Sequence, residues 1–389
     1  MKNKFHLYHF FSNSFSILMY LLMSSVNSIA ARWGLSFITI GLINLAGGIS
    51  YISASLFFGR LGDRFGHKKI LIIATFFFSF FNILGFFWSN TVELFIFNIG
   101  LNVFFGIFYP QIEGLLSKEE KLLGIDPANT INRFTISWSS GNVLGMAMGP
   151  FLIVRFPYII FCYGITLSLA SYFILKRDLS KNGESIAFFP SQKLKKPSNK
   201  IDFPRIKLYR KVYRTTLVMS GLVYVAVLSL FPKAISMNGL PIALSGFIVV
   251  GANIGVFLTF ILLGRFKIWV GNPKIAGLFI LAFPLMTLFI FFPPSIATFF
   301  VISLLAGVSY AVPYTYAIFY GLNSPDKDQG KQGGFHEAIM GTMWAIGPLL
   351  GALSIQLFNS IIGLGIAATF LSVVILLIQI RFVKITRSV

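Results

Sequence analysis

The chain has 389 residues, of which 56% are apolar, 16% aromatic and 11% charged, with a mean hydropathy of +0.80. Soluble domains carry about 25% charged residues, so 32 basic and 12 acidic side chains are too few to coat a water-soluble globule of this length. Composition therefore excludes an ordinary soluble enzyme and points to an all-α polytopic membrane protein, and the net charge of +20, which would otherwise suggest nucleic acid, has to be read from where the charges sit.

A helix needs about 20 apolar residues to cross the hydrocarbon layer. In chain order, the stretches free of Asp, Glu, Lys and Arg begin with 7–31, 33–59, 70–92 and 94–112. They continue with 134–154, 156–175, 215–232 and 234–264. Two more, 275–325 and 338–380, are double length, the first broken at Pro293-Pro294 and the second near Asn359 and Gly363. Twelve spans are predicted. None alternates with period two, which favours helices over a membrane β-barrel. Lys2 and Lys4 precede a first span ending Ser28-Ile29-Ala30, like a cleavable signal peptide, but the span is long for one, and an uncleaved first helix is expected.

Between spans 2 and 3 stands Gly59-Arg60-Leu61-Gly62-Asp63-Arg64-Phe65-Gly66-His67-Lys68-Lys69. Glycines at 59, 62 and 66 suit close helix ends and a tight turn. Asp63 is a fixed anion that a helix N-terminus or an arginine would satisfy, and read as residues alone the segment is equally a basic loop with a capping Asp. Span 5 carries Gly145-Met146-Ala147-Met148-Gly149-Pro150, which reads as close packing by small residues plus a proline kink. Between spans 6 and 7, residues 176–213 hold Pro190, Pro197, Pro204 and many lysines, and read as a linker.

With both termini cytoplasmic, 28 of the 32 basic residues fall in inside loops and tails, twelve of them between Lys176 and Arg214. Only Arg32, Arg155 and Lys233 fall outside, and Arg133 lies within a span. This is a positive-inside signature for a multi-pass protein of the cytoplasmic membrane. The charge thus reports topology and contact between the linker and anionic lipid, not nucleic acid.

The linker divides the chain into 1–175 and 214–389, six spans each. Gly59-Arg60 matches Gly264-Arg265 at an offset of 205, as do Gly66 with Gly271 and Lys69 with Lys274. Pro110 with Pro313, Phe134 with Phe335 and Gly149-Pro150 with Gly347-Pro348 continue the series. A six-span repeat predicts two six-helix bundles around a pseudo-twofold axis along the membrane normal, with a solute path between them.

The 59–69 segment resembles the loop motif of the major facilitator superfamily, Gly-x-Leu-Ala/Gly-Asp-Arg/Lys-x-Gly-Arg/Lys-Arg/Lys. It matches at Gly59, Leu61, Gly62, Asp63, Arg64, Gly66, Lys68 and, loosely, Lys69, with His67 at a usually basic position. The resemblance covers the chain through span count, linker and repeat. It implies a secondary transporter working by alternating access, with Gly59, Gly62, Asp63, Arg64, Gly66 and Lys69 in a gating loop. Span 5 is similar to the exporter pattern of that family only in part, since Ile136 and Ile153-Val154 replace its outer glycines. The arginine that proton-coupled drug exporters carry four residues before a glycine of span 4 is Asn102 here, before Gly106.

Ionisable groups within spans are functional candidates because each costs several kcal/mol unless paired or hydrated. Four qualify: Glu113, Arg133, His336 and Glu337. Glu113 and Arg133 lie on consecutive helices and are expected either to pair or to snorkel to water. His336-Glu337 is the candidate proton site, since histidine titrates near neutral pH; alternatively it simply opens span 11, with Glu337 on the helix dipole. Asn98, Asn102, Asn132, Trp138, Tyr224, Tyr310, Tyr314 and Trp344 are candidates for the solute cavity, where aromatic faces suit amphipathic or cationic solutes, although Asn and Tyr also serve as ordinary interhelical glue.

No nucleotide-binding Gly-x4-Gly-Lys-Ser/Thr loop is present, nor Gly-x-Ser-x-Gly, and His336-Glu337 meets Met340 where a metalloprotease would place its second histidine. Cys162 is the lone cysteine and the four histidines are scattered, so neither enzyme chemistry, a metal nor a cofactor is expected. The function expected is proton-coupled efflux of a small amphipathic compound by a monomer. Import of a neutral metabolite is the alternative, and a non-transporting sensor or scaffold on the same fold is the alternative of another class.

Overall fold

A computed structural model describes residues 2–125, 127–182, 203–270, 272–322 and 329–387. Among these there are thirteen α-helices and no strand. The first six are α1 (Lys2–Arg32), α2 (Phe37–Phe65), α3 (His67–Leu84), α4 (Thr91–Leu123), α5 (Pro127–Arg155) and α6 (Pro157–Asn182). The remainder are α7 (Phe203–Met237), α8 (Ser245–Arg265), α9 (Pro273–Ile280), α10 (Ala282–Ile290), α11 (Ile296–Leu322), α12 (Gln329–Phe358) and α13 (Ile362–Arg387).

Ten helices are long and apolar enough to cross a membrane. The two exceptions among the twelve predicted spans have local causes. α5 carries Asn129, Asn132, Arg133, Ser137, Ser139, Ser140 and Asn142, which dilute its hydropathy. The ninth span is split into α9 and α10 at Leu281, three residues before Pro284. Proline has no N–H to donate to the carbonyl four residues earlier and its ring crowds that carbonyl, so the i→i−4 ladder stops there. Most of the expected linker lies outside the described residues. Its two flanks do not: 176–182 complete α6 and 203–213 begin α7, so the helices run further into it than charge counting implied.

The first six helices pack among themselves through α1 on α4 and α5, α2 on α4, and α3 on α6; the rest pack through α7 and α8 on α11, α7 on α12, and α10 and α13 on their neighbours. Two helix pairs carry most of the contact between the bundles, α2 with α12 and α5 with α8, with smaller contacts of α1 on α7 and α4 on α12. A shift of six spans turns span 2 into span 8 and span 11 into span 5. The two seams are therefore the same contact seen twice, which is what a pseudo-twofold arrangement of two six-helix bundles requires.

One face of the assembly carries Lys4, Arg60, Arg64, Lys68, Lys69 and Arg265 and is called the basic face below. Both seams are closed toward both faces. Toward the opposite face, a methyl group on Gly246 (α8) would come within 2.5 Å of the Ala147 carbonyl oxygen, and one on Gly41 (α2) within 2.9 Å of Leu349 Cα. Asn44 donates to Asn27 Oδ1 at 2.9 Å and accepts from Ser229 Oγ of the other bundle at 3.5 Å, while Lys233 lies 5.5 Å over the Phe37 ring. Toward the basic face, Gly264 abuts Asn132, and Gly334 lies against the Ser55 carbonyl. This is an occluded arrangement.

The first bundle is tied at its basic end by Asp178 (α6), which pairs with Lys68 of α3 and, at 3.3 Å, with Lys4 of α1. Lys68 is buried, so its charge depends on that carboxylate.

Candidate functional site

The acids come first, because a membrane interior tolerates few of them. Glu113 lies on α4, one turn past Pro110, and Glu337 lies in the third turn of α12 after the glycine-rich start of that helix. Their carboxyl groups are hydrogen-bonded to each other across the seam. A carboxylate has no donor, so this contact requires a proton on the pair. Tyr51 of α2 donates its hydroxyl to Glu337 Oε2. Glu113 Oε1 is buried without a hydrogen-bond partner. The two acids and Tyr51 thus form one buried polar cluster between the two bundles.

Next to the acids lies an aromatic layer drawn from both bundles. Tyr224 (α7) and Tyr310 (α11) stack with ring centroids 4.3 Å apart and planes within 4°. Tyr20 (α1) meets the Tyr224 hydroxyl at 3.4 Å and the edge of Trp344 (α12) at 6.1 Å. Trp138 (α5) packs edge-on at 5.3 Å against both Phe260 (α8) and Tyr314 (α11), and Tyr314 in turn meets His336 at 5.0 Å. Every one of these rings is buried.

The comparisons with known proteins agree with this architecture. A family model described as Major Facilitator Superfamily matches residues 9–320. The chain belongs to the major facilitator superfamily. No curated protein matches it in sequence. Among solved structures it is similar to the nucleoside transporter NupG, with TM-score 0.65 and 11% identity over 97% of this chain and 98% of that one. A point mutant of NupG gives TM-score 0.64 and 14% identity over 97% and 99%. A bacterial homolog of the human lysosomal transporter Spinster, in an inward-facing and occupied conformation, gives 0.62 and 12% over 98% and 96%. At these identities the likeness is one of fold. Members of the superfamily are transporters and not enzymes, and this chain is a multi-pass membrane transporter for a small-molecule substrate.

Within the superfamily frame, the motif between spans 2 and 3 is mostly helix. α2 runs through Gly59, Gly62, Asp63 and Arg64 to Phe65, and α3 starts at His67. Gly66 alone makes the turn, at φ 103°, a conformation that L side chains rarely adopt. Asp63 was expected to meet a helix N-terminus or an arginine. It pairs instead with His67 Nε2 at 3.4 Å inside the same motif. His67 Nδ1 lies 2.8 Å from Gln111 Oε1, and Gln111 Nε2 donates to the Phe58 carbonyl at 2.8 Å. Arg64 lies over the Phe65 ring at 5.1 Å, and Lys69 is exposed.

Three expectations for site residues change. Glu113 and Arg133 do not form the ion pair considered: Glu113 bonds Glu337, and Arg133 lies 6.0 Å over the Phe5 ring. His336 and Glu337 do not meet the same groups, because adjacent helix positions point about 100° apart. Glu337 faces Tyr51 and Glu113, while both ring nitrogens of His336 are buried without partners. Asn98 and Asn102 are helix glue, not cavity lining. Asn98 donates to the Ile43 carbonyl at 2.7 Å, and Asn102 donates back to Asn98 at 2.8 Å, clamping α4 to α2. Asn132, Trp138, Tyr224, Tyr310, Tyr314 and Trp344 do lie at or beside the seams.

Sequence reasoning missed Tyr20, Tyr51 and Tyr109, whose hydroxyl lies 2.7 Å from Ser16 Oγ. A signal for Tyr51 was present: it stands in Gly47-Gly48-Ile49-Ser50-Tyr51-Ile52-Ser53-Ala54-Ser55. Small residues at such density mark a face that another helix approaches closely, and a tyrosine on that face must find a polar partner. The Gly145–Pro150 segment has the packing explanation, since Gly145 abuts the Ile17 carbonyl and Gly149 abuts Ser24 Oγ of α1.

Proposed function

We propose that this transporter couples movement of a small amphipathic solute to protons, with Glu113 and Glu337 as the coupling groups. The observation that carries the reading is their mutual hydrogen bond across the seam. Loss of the shared proton would leave two like charges in contact, which drives the bundles apart. Protonation closes them again. A proton bound and released in step with opening of the seam is what coupled alternating access needs. Exchange in the direction of export is the primary reading, supported by the aromatic layer around Tyr224, Tyr310 and Trp138. A second reading, uptake of a neutral metabolite, draws on a different observation: the buried unpartnered groups near the seam, at Trp138, Asn142, Asn253 and His336, are amide, indole and imidazole groups.

The topology we propose places the basic face in the cytoplasm, in two six-helix units joined by the linker. The exposed lysines and arginines of that face would contact anionic lipid at about 1 kcal/mol each. Asp63 and its neighbours serve there as the gating element by limiting how α2 and α3 move relative to α4.

The test is proton movement in reconstituted vesicles loaded with a pH-sensitive dye, with ethidium, uracil and glucose as probe solutes. Solute-evoked proton flux is expected in the native protein and is expected to disappear in Glu113→Gln and Glu337→Gln. Undiminished flux in both variants would overturn the coupling role.

A further inference from the structure

The seam between α5 and α8 and its neighbourhood hold polar atoms that the fold leaves unsatisfied. Trp138 Nε1 and Asn142 Oδ1 come from α5, Asn253 Nδ2 from α8 and both ring nitrogens of His336 from α12. All four residues are at least nine-tenths buried. A buried donor or acceptor without a partner costs about 1–3 kcal/mol, and three such residues on the two helices of one seam, with His336 beyond Tyr314, call for an explanation other than chance packing.

Their arrangement follows from helix register. α5 and α8 run antiparallel, with Gly246 against Ala147 near one face and Gly264 against Asn132 near the other. Between these contacts, position 142 falls level with position 253. Trp138 lies one turn from Asn142 on the same side of α5 and touches Phe260, two turns from Asn253 on α8. The Asn253 amide is oriented by its other end, since Tyr224 Oη donates to Asn253 Oδ1 at 2.9 Å. The group left over is therefore the Asn253 N–H donor. The orphan acceptor of α5 is Asn142 Oδ1, which the register places at the same depth. One bundle offers an acceptor and the other a donor, at the same depth.

We infer that this seam binds an uncharged planar ring bearing a lactam-type edge, an N–H beside a carbonyl or ring nitrogen. The inference rests on the transport reading above and specifies its substrate class. The ring N–H would donate to Asn142 Oδ1 and its neighbouring acceptor would receive from Asn253 Nδ2, with Trp138 Nε1 as a further donor. The flat faces would lie against the aromatic layer of Tyr224, Tyr310, Tyr314 and Trp138. Charge would be unwelcome: Arg133 and Arg214 are occupied over Phe5 and Phe335. Because the two amides belong to different bundles, such a ring would hold the seam closed only while both edges are engaged.

The experiment measures thermal unfolding of the purified full chain with uracil, hypoxanthine, 2-pyridone and nicotinamide, against 1,3-dimethyluracil, benzoate, tetraphenylphosphonium and glucose. Uracil, hypoxanthine or 2-pyridone is expected to raise the melting temperature by about 2 °C or more at saturation. Dimethyluracil keeps the flat ring and loses the N–H, and is expected to give no shift. Asn142→Ala and Asn253→Ala should each weaken uracil or hypoxanthine binding about tenfold, and Trp138→Phe should weaken it while keeping the ring. If an alanine variant does not purify folded, Asn142→Ser and the dimethyluracil comparison on the native chain carry the test. No shift with any lactam, an equal shift with dimethyluracil, or unchanged affinity in both amide variants overturns the inference. Vesicle proton flux separates it from the coupling reading. A lactam that binds and moves without protons supports this inference and defeats coupling. Proton-linked movement of another probe, with no lactam binding, does the reverse.

Discussion

Glu113 of α4 and Glu337 of α12 meet between the two bundles, and Tyr51 of α2 donates to the same Glu337 carboxyl. Both acids are therefore satisfied only while the seam is shut, and each bundle on its own would expose an acid that water must solvate. A group with a different environment in each conformation is the requirement for coupling proton binding to shape.

Glu337→Gln keeps a neutral group of similar size beside Tyr51 and Glu113. It is expected to change melting temperature little while removing solute-evoked proton flux. Glu337→Ala is expected to be worse for stability by about 1–3 kcal/mol, because the Tyr51 hydroxyl loses its acceptor in a buried setting. Thermal unfolding of the two variants side by side separates loss of the proton from loss of the partner.

Closure of the seam should depend on pH with a definite sign. The shared proton belongs to the closed state, so closure is favoured at low pH and weakened as pH rises and the proton leaves. Cysteines placed at Phe37 and Lys233, which face each other across the bundles, in a chain with Cys162→Ser, report closure by the yield of a short bifunctional cross-linker. The yield is expected to fall with rising pH in that chain and to become flat in the Glu113→Gln, Glu337→Gln background.

Asp178 supports two cations on two other helices, Lys4 and Lys68. Asp178→Asn leaves the buried Lys68 charge without its carboxylate and is expected to cost about 3 kcal/mol. Lys68→Met removes charge and need together and is expected to cost less. Melting temperatures in detergent at one ionic strength give the comparison, and the reverse order would sink this account of the clasp.

Gly66→Ala forces a side chain into φ 103° and is expected to lose about 1–2 kcal/mol. Gly62→Ala drives a methyl into Gln111 Oε1, so it should also disturb the His67–Gln111 contact. Asn102→Ala tests the opposite kind of residue. It is expected to lower stability by about 1 kcal/mol while leaving uracil or hypoxanthine affinity unchanged, because Asn102 donates to the Asn98 carbonyl within α4 and not into the seam. Melting temperature and ligand-induced shift, measured on the same preparations, check all three.

Length, hydropathy and charge placement made the helices and the two-bundle repeat legible. Those features depend on each residue's own preference for lipid or water, which a linear pattern records. The split of the ninth span at Leu281 and the single-residue turn at Gly66 were also within reach, since Pro284 and glycine act through local backbone sterics. The list of in-membrane acids was short enough that both Glu113 and Glu337 stood on it.

Pairing was another matter. Glu113 was matched with Arg133 by closeness along the chain, and Glu337 with His336 by adjacency. Neither pair forms, because side-chain direction on a helix is set by a turn of about 100° per residue and the partner across a seam lies 224 positions away in sequence. Asn98 and Asn142 are alike as residues; one clamps α4 to α2 and the other leaves its carbonyl oxygen unpaired on the face toward the other bundle. The sequence by itself determined that this chain lies in a membrane as two related helical bundles and which few polar groups it carries there. Only the tertiary structure decided which of those groups meet, because a hydrogen bond across the seam depends on helix rotation and register, and packing sets those once both bundles are in place.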